Sequence, residues 1–257
     1  MEDILEIEGK KFTSRFFLGT GKFGSLEQMR EAIIRSETEL VTVALRRIDP
    51  DKKQADILSF IPSSIIVMTN TSGARNADQA VKIAKFARAA GAGNWIKVEV
   101  VSDSKYLLPD NTETVKATEL LVREGFIVMP YFSPDLIIAR RLRDAGAASV
   151  MPLGSPIGSG KGIKTRELIK IIIDEIDLPV IVDAGLGFPS HAAEAMELGA
   201  SGVLVNTALA IAENPPGMAE AFALATKAGR LGYLCKNTAA GFSSFASPSS
   251  PLEGVIR

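Results

Sequence analysis

A parallel (β/α)8 barrel is the fold this chain predicts, and three observations carry the prediction. Eight short runs rich in β-branched residues recur along the sequence, spaced roughly 20–30 residues apart as strand–helix units require. The stretches between them repeat apolar residues at helical period, and Gly91, Gly125, Gly146 and Gly199 follow the last periodic residues of four of them. The chain has 257 residues, which fits one barrel of roughly 250 residues. An open doubly wound sheet accommodates eight such repeats less well. No linker rich in glycine, proline or charge divides the chain, so residues 1–257 read as a single domain.

Taken in order, residues 1–15 stand outside the repeat. Ile4-Leu5-Glu6-Ile7 and Lys10-Lys11-Phe12 predict a short hairpin that closes the barrel bottom. The strands follow at Phe16–Leu18, Leu40–Ala44, Ile65–Thr69, Trp95–Val100, Ile127–Pro130, Ser149–Pro152, Val180–Asp183 and Gly202–Asn206. Helices are predicted over Ala77–Ala90, Thr112–Glu124, Asp135–Ala145, Thr165–Glu175 and Ser190–Leu198, the last with Ser190 as N-cap. The Ser- and Pro-containing stretch 237–257 has the composition of a mobile tail.

Composition removes several classes of function. Net charge is −1, from 29 Lys+Arg against 30 Asp+Glu, with no basic stripe, so nucleic acid is not an expected partner. No apolar stretch has the length of a membrane span, and the N-terminus lacks a signal-peptide pattern; a cytoplasmic protein is expected. Cys235 is the single cysteine and His191 the single histidine. A disulfide, a cysteine-rich or histidine-based metal site and a Ser-His-Asp triad are all disfavoured, and neither metal nor cofactor is expected. His191 reads as an exposed first-turn residue. Proton transfer must rest on carboxylates, lysines or water.

Lys97 is the most informative residue. In Asn94–Val101, Ile96, Val98 and Val100 share one face while Lys97 and Glu99 share the other. Nothing marks an edge strand, so both charges project into the interior, where burial costs several kcal/mol unless each is paired or used. Two readings are open: a buried pair that satisfies itself, or an amine that attacks a carbonyl and forms an imine. An attacking amine must be unprotonated; burial favours that state and an ionised Glu99 opposes it.

Chemistry in such a barrel lies at the C-terminal ends of the strands. Arg46-Arg47, Asn70-Thr71, Asp183 and Asn206-Thr207 all fall there. Gly154 to Gly162 fails the P-loop pattern, which would need glycine at 155 and Ser or Thr at 162. Gly19-Thr20-Gly21-Lys22-Phe23-Gly24 matches G-x-G-x-x-G, but Ala44-Leu45-Arg46 supplies no acidic residue for a dinucleotide ribose. The loops Ala184–Ser190 and Asn206–Ala208 are better candidates for a phosphate, which barrels often hold after the seventh and eighth strands.

Long stretches of the chain resemble thiazole synthases of bacterial thiamine biosynthesis. They include Leu18–Lys22, Val41–Arg47, Asn94–Val100, Val150–Gly160, Pro179–Gly185 and Ala195–Ala200, spread over roughly residues 16 to 230. The resemblance implies a (β/α)8 barrel, often a homotetramer. It implies formation of thiazole phosphate from 1-deoxy-D-xylulose 5-phosphate, 2-iminoacetate (dehydroglycine) and a sulfur-carrier protein ending in a thiocarboxylate. Carried over by residue, the imine-forming lysine falls on Lys97 and the acid–base carboxylates on Glu99 and Asp183. The sugar-phosphate contacts fall on Gly158, Ala184, Gly185, Asn206 and Thr207. The chain departs from the family's usual pattern at Thr69, where proline is common, in Asn70–Ala74, and at Tyr131–Asp135. A class I aldolase-like or isomerase enzyme acting on a sugar phosphate, or a barrel that binds without turnover, are the competing expectations. Dependence on a protein sulfur donor separates them.

Overall fold

A computed structural model describes residues 3–44, 57–103 and 105–235. Arg46, Arg47 and the stretch 237–257 lie outside the described residues. Two antiparallel strands, β1 (Leu5–Ile7) and β2 (Lys10–Phe12), precede eight parallel ones: β3 (Phe16–Gly19), β4 (Leu40–Ala44), β5 (Ile66–Asn70), β6 (Trp95–Val98), β7 (Ile127–Phe132), β8 (Met151–Pro152), β9 (Ile181–Asp183) and β10 (Gly202–Val205). Their order is β8-β7-β6-β5-β4-β3-β10-β9, and bridges Val150–Val180 and Leu153–Asp183 join β8 to β9. The barrel is closed, and each sequence-predicted strand lies on one of its staves.

Alternation decides what each stave buries. Phe17, Leu40, Met68, Met129, Met151, Ile181 and Leu204 fill the lower interior. The residues out of phase with them, such as Phe16, Val41, Val43, Val182 and Val203, pack outward against helices. Ile96, Val98, Val100 and Val128 do the same elsewhere in the ring. The hairpin supplies Leu5, Ile7 and Phe12 to the bottom of the barrel. Phe12 meets Phe17 and Trp95 edge-on, with centroids 5.5 and 6.1 Å apart. Trp95 therefore belongs to the barrel floor and not to its mouth.

The helices are α1 (Leu26–Arg35), α2 (Ala77–Ala89), α3 (Asn111–Arg123), α4 (Leu136–Asp144), α5 (Arg166–Glu175), α6 (Pro189–Leu198), α7 (Thr207–Ala210) and α8 (Pro215–Cys235). Between β4 and β5 the described residues hold one 3-10 turn, Ile57–Phe60. Ser25, Asn76, Asp110 and Asp135 each cap a helix through a side-chain oxygen that accepts from the third residue on. Helix α6 starts one residue earlier than its sequence predicts. Proline fits the first helical position, so Pro189 takes it and Phe188, not Ser190, is the N-cap. No described helix is long and apolar enough to cross a membrane.

Asp3 ties the two ends of the barrel wall together. Its carboxylate accepts from Arg15 at 2.9 and 2.7 Å and from Arg230 of α8 at 2.9 and 2.8 Å. Arg230 and Arg15 together hold the carboxyl well below its ordinary range, against the opposing effect of burial. A lowered folded-state pKa adds stability that is present above the unfolded value of 3.8 and lost as pH falls. Asp3 is partly exposed, so solvent screening limits the gain. Asp3→Asn is expected to cost about 1 kcal/mol at pH 7 and nearly nothing well below pH 3, read from thermal denaturation at both pH values. An equal loss at both would mean that the contact is not ionic.

Candidate active site

The barrel's charged interior begins one layer above the methionines. Lys97 lies in β6 between β5 and β7, in register with Asn70 and Met129. Its Nζ lies 3.1 Å from Glu99 Oε1 and in direct contact with Asp183 Oδ2. All three side chains are buried. Thr71 fixes the strand from beside: its Oγ1 donates to Glu99 O and accepts from Glu99 N, both at 2.8 Å. Tyr131 of β7 places its ring centroid 5.3 Å from the ammonium.

Burial opposes charge on Lys97, but Asp183 and Glu99 outweigh it and raise the amine above its ordinary value. In the resting site Lys97 is thus a paired ammonium. For Asp183, burial dominates and raises the carboxyl even though Lys97 pulls the other way. The two shifts are compatible with one proton held between amine and carboxylate. An acid of raised pKa is the better acceptor when the amine must be freed, so the site holds a latent nucleophile with its base in contact.

These groups open on a cavity of about 840 Å³ at the C-terminal ends of the strands. Lys97, Glu99, Asp183, Gly158, Ala184, Gly185, Asn206 and Thr207 all line it, so the eight residues to which the family resemblance assigns site roles share one cavity. Two of its loops interlock. Gly154 N donates to Asp183 O at 3.0 Å and Gly162 N to Gly185 O at 2.9 Å. A Cβ on Gly185 would lie 2.7 Å from Ser155 N and 2.8 Å from Ser155 O, and Gly185 sits at φ +78°. Ala184 shares that left-handed region at φ 66°, a strained state for a residue with a side chain. Among the described residues, the N–H groups of Gly158, Gly160, Gly185 and Leu186 donate to no protein acceptor. Unpaired amides in such a concavity suit an anion.

His191 is half-buried instead of fully exposed. Its Nδ1 accepts from Gly187 N at 3.1 Å and Phe188 N at 3.2 Å, so it closes the turn into α6. Phe188 is exposed at the cavity rim. Tyr131 escaped the sequence reading as a member of the charged layer, although the alternation Ile127, Met129, Tyr131 carries the signal. Burial, then Asp183 and Glu99, raise its phenol and keep it neutral. Its hydroxyl is buried without a partner among the described residues. Tyr131→Phe is expected to keep the ring beside Lys97 and to stabilise the fold by about 1 kcal/mol in denaturant titration. A loss of that size would show that the hydroxyl has a partner.

Comparison with known proteins places this geometry among relatives. The family described as thiazole biosynthesis protein ThiG matches residues 6–251. Thiazole synthases of Pelotomaculum thermopropionicum and Acetivibrio thermocellus are 59% and 60% identical, each over 257 residues and the whole of both chains. The crystal structure of the Amycolatopsis orientalis BexX/CysO complex contains a chain with 33% identity and a TM-score of 0.80. The alignment covers 96% of this chain and 98% of that one. A mandelate oxidase structure, at 15% identity and a TM-score of 0.62 over 87% of this chain and 75% of its own, shares the fold alone.

Proposed function

The chain belongs to the ThiG family and is a thiazole synthase of thiamine biosynthesis; on that premise we propose that it works through an imine on Lys97. The observation that carries the proposal is one cavity holding a buried lysine between two carboxylates and, beside it, glycine loops with unpaired amides. The phosphate of 1-deoxy-D-xylulose 5-phosphate rests on Gly158, Ala184, Gly185 and the backbone around Asn206 and Thr207. That anchor sets the C2 ketone at Lys97.

Lys97 gives its proton to Asp183 and attacks C2. The carbinolamine loses water, with a carboxyl group returning a proton to the leaving oxygen, and an iminium forms. Glu99 or Asp183 removes the C3 proton and the carbonyl moves to C3, as in an Amadori rearrangement. The sulfur of the carrier protein's terminal thiocarboxylate adds to the C3 carbonyl, the acyl group passes from sulfur to the C3 oxygen, and that oxygen leaves with the carrier as its terminal carboxylate, so that the sulfur stays on C3. The imine carbon of 2-iminoacetate then takes the sulfur, its nitrogen displaces Lys97 from C2 and frees the amine, and the C4 hydroxyl leaves as water as the ring closes. A protein partner at this fold has support in BexX, whose structure is a complex with CysO. Exposed Leu224, Leu231 and Leu234 on α8 and Ile34 on α1 support self-association, for which the family resemblance implies a homotetramer.

Borohydride trapping with deoxyxylulose 5-phosphate, followed by peptide mass mapping, tests the imine. A reduced sugar adduct on the Lys97 peptide is the expected result. Sugar-phosphate binding with no adduct would overturn it. Asp183 adds a pH requirement. As pH falls through its raised pKa, the carboxylate is protonated and cannot relieve Lys97. The acid limb of trapping is therefore expected above the ordinary carboxyl value of 3.8.

A further inference from the structure

Among the described residues, five charged ones line the cavity: Lys22, Arg75, Lys97, Glu99 and Asp183. Both carboxylates are taken by Lys97. Among the described residues the Arg75 guanidinium engages no carboxylate and no side-chain acceptor. Its backbone, by contrast, is fixed on both sides. Arg75 N donates to Gln79 Oε1 at 2.9 Å, Val101 N donates to Ala74 O at 2.9 Å, and Ala74 bridges Val100. A free cation thus projects from a loop pinned to the strand that carries Lys97 and Glu99.

Its place in the ring matters most. In the order β8-β7-β6-β5-β4-β3-β10-β9, closed by β8 and β9, strand β5 stands four staves from β9 in either direction. Arg75 therefore lies across the mouth from the loop Ala184–Phe188, with Lys97 between them. The two poles differ in chemistry. The lining residues of the β8, β9 and β10 loops offer backbone amides and no cation, whereas the β5 side offers Arg75 and Asn70. Asn70 is in register with Lys97, and its Oδ1 accepts from Ser72 N at 3.3 Å, so its amide donors remain for a ligand. A guanidinium beside an amide donor matches a planar carboxylate, which accepts two parallel hydrogen bonds.

We propose that Arg75, with Asn70, binds the carboxylate of the second reactant, on the side of Lys97 opposite the phosphate. The inference rests on the imine reading above, because only a substrate already anchored at Lys97 needs a second, oppositely placed anion pole. Two reactants carry that chemistry: a small α-imino acid, and the thiocarboxylate that ends the carrier protein.

The test uses the full chain with Arg75→Met and Arg75→Lys. Glyoxylate with excess ammonium, which gives 2-iminoacetate by loss of water, is the small-carboxylate probe, and thiocarboxylated carrier is the other. Arg75→Met is expected to leave borohydride trapping of the sugar phosphate at wild-type yield. It should raise the apparent KM of one probe about 10- to 100-fold, with partial recovery in Arg75→Lys. A rise for glyoxylate assigns the pole to the imino acid, and a rise for the carrier assigns it to the thiocarboxylate. Both KM values within about twofold of wild type would overturn the inference. So would trapping that falls as far as turnover, since Arg75 would then act on the sugar phosphate. Failure of trapping in the wild-type protein is a separate result and counts against the imine itself.

Discussion

Lys97→Met is expected to abolish thiazole formation, by on the order of 10⁴-fold or more, and to weaken the fold at pH 7 by about 3–5 kcal/mol. The first effect follows if the amine is the nucleophile. The second follows from geometry alone, because Glu99 and Asp183 both face Lys97 from buried positions and would lose their only cation among the described residues. Burial already raises Asp183, and removing the lowering effect of Lys97 raises it further. A carboxyl whose folded pKa exceeds its unfolded 3.8 binds more protons when folded, so its stabilising effect is present at low pH and lost as pH rises. The melting temperature of the variant should therefore climb as pH is lowered from 8 to 5, more steeply than that of wild type. Adding Asp183→Asn should recover stability at pH 7 without recovering turnover. An equal stability loss at pH 5 and pH 8 would rule out the buried-charge account.

Gly185→Ala is the second large effect, expected at about 3 kcal/mol together with loss of sugar-phosphate binding. Two costs add. An alanine at φ +78° pays for the left-handed conformation, about 1–2 kcal/mol, and its Cβ would overlap Ser155. The overlap involves Ser155 Oγ but also its backbone N and O, which cannot turn away. The loops must then part, breaking the Gly162 N to Gly185 O bond and scattering the amides around the anion pole. Calorimetric titration with the sugar phosphate and thermal melts measure the two effects. Ser155→Gly removes the hydroxyl contact only, so the double variant should recover less than half of the loss. Full recovery would place the strain in the side chain.

Most of the barrel is legible before any coordinates are seen, because its physics is local and periodic. Runs such as Val180–Asp183 and Gly202–Asn206 are short, β-branched and flanked by turns, and each lies on its stave. Lys97 announces itself by breaking the apolar rule within such a run. What stayed hidden is what the ring closure creates. Asp183 and Lys97 are far apart in sequence, and only the closed barrel puts their side chains in contact. The bounds of helices α1 and α8 are not evident in the sequence. Alanine, glycine and two prolines dilute the pattern of α8, and α1 has charges close to its apolar stripe. His191 stands in the first turn of α6, as the sequence predicts, but it is half-buried because its imidazole accepts backbone N–H groups, which no spacing rule encodes. Arg75 stays inconspicuous in the sequence because a cation on a loop looks ordinary until its place across the ring is known.

The salt link through Asp3 and the pairing of β3 with β10 also set the order of events during synthesis. Arg15 and Ser201, joined by a 2.8 Å hydrogen bond, are 186 residues apart. At roughly 5–20 residues per second, a ribosome takes about 10–40 s to make the chain between them. Throughout that interval β3 can pair with β4 but has no partner on its other edge. Contacts so distant in sequence make closure slow and leave a strand edge open to wrong neighbours. The last staves to leave the ribosome are β9 and β10, and they carry Asp183 and Asn206 to Lys97. Completion of the barrel and assembly of the charged site are therefore one event, and a nascent chain has no active centre until its first barrel strand, β3, meets its last, β10.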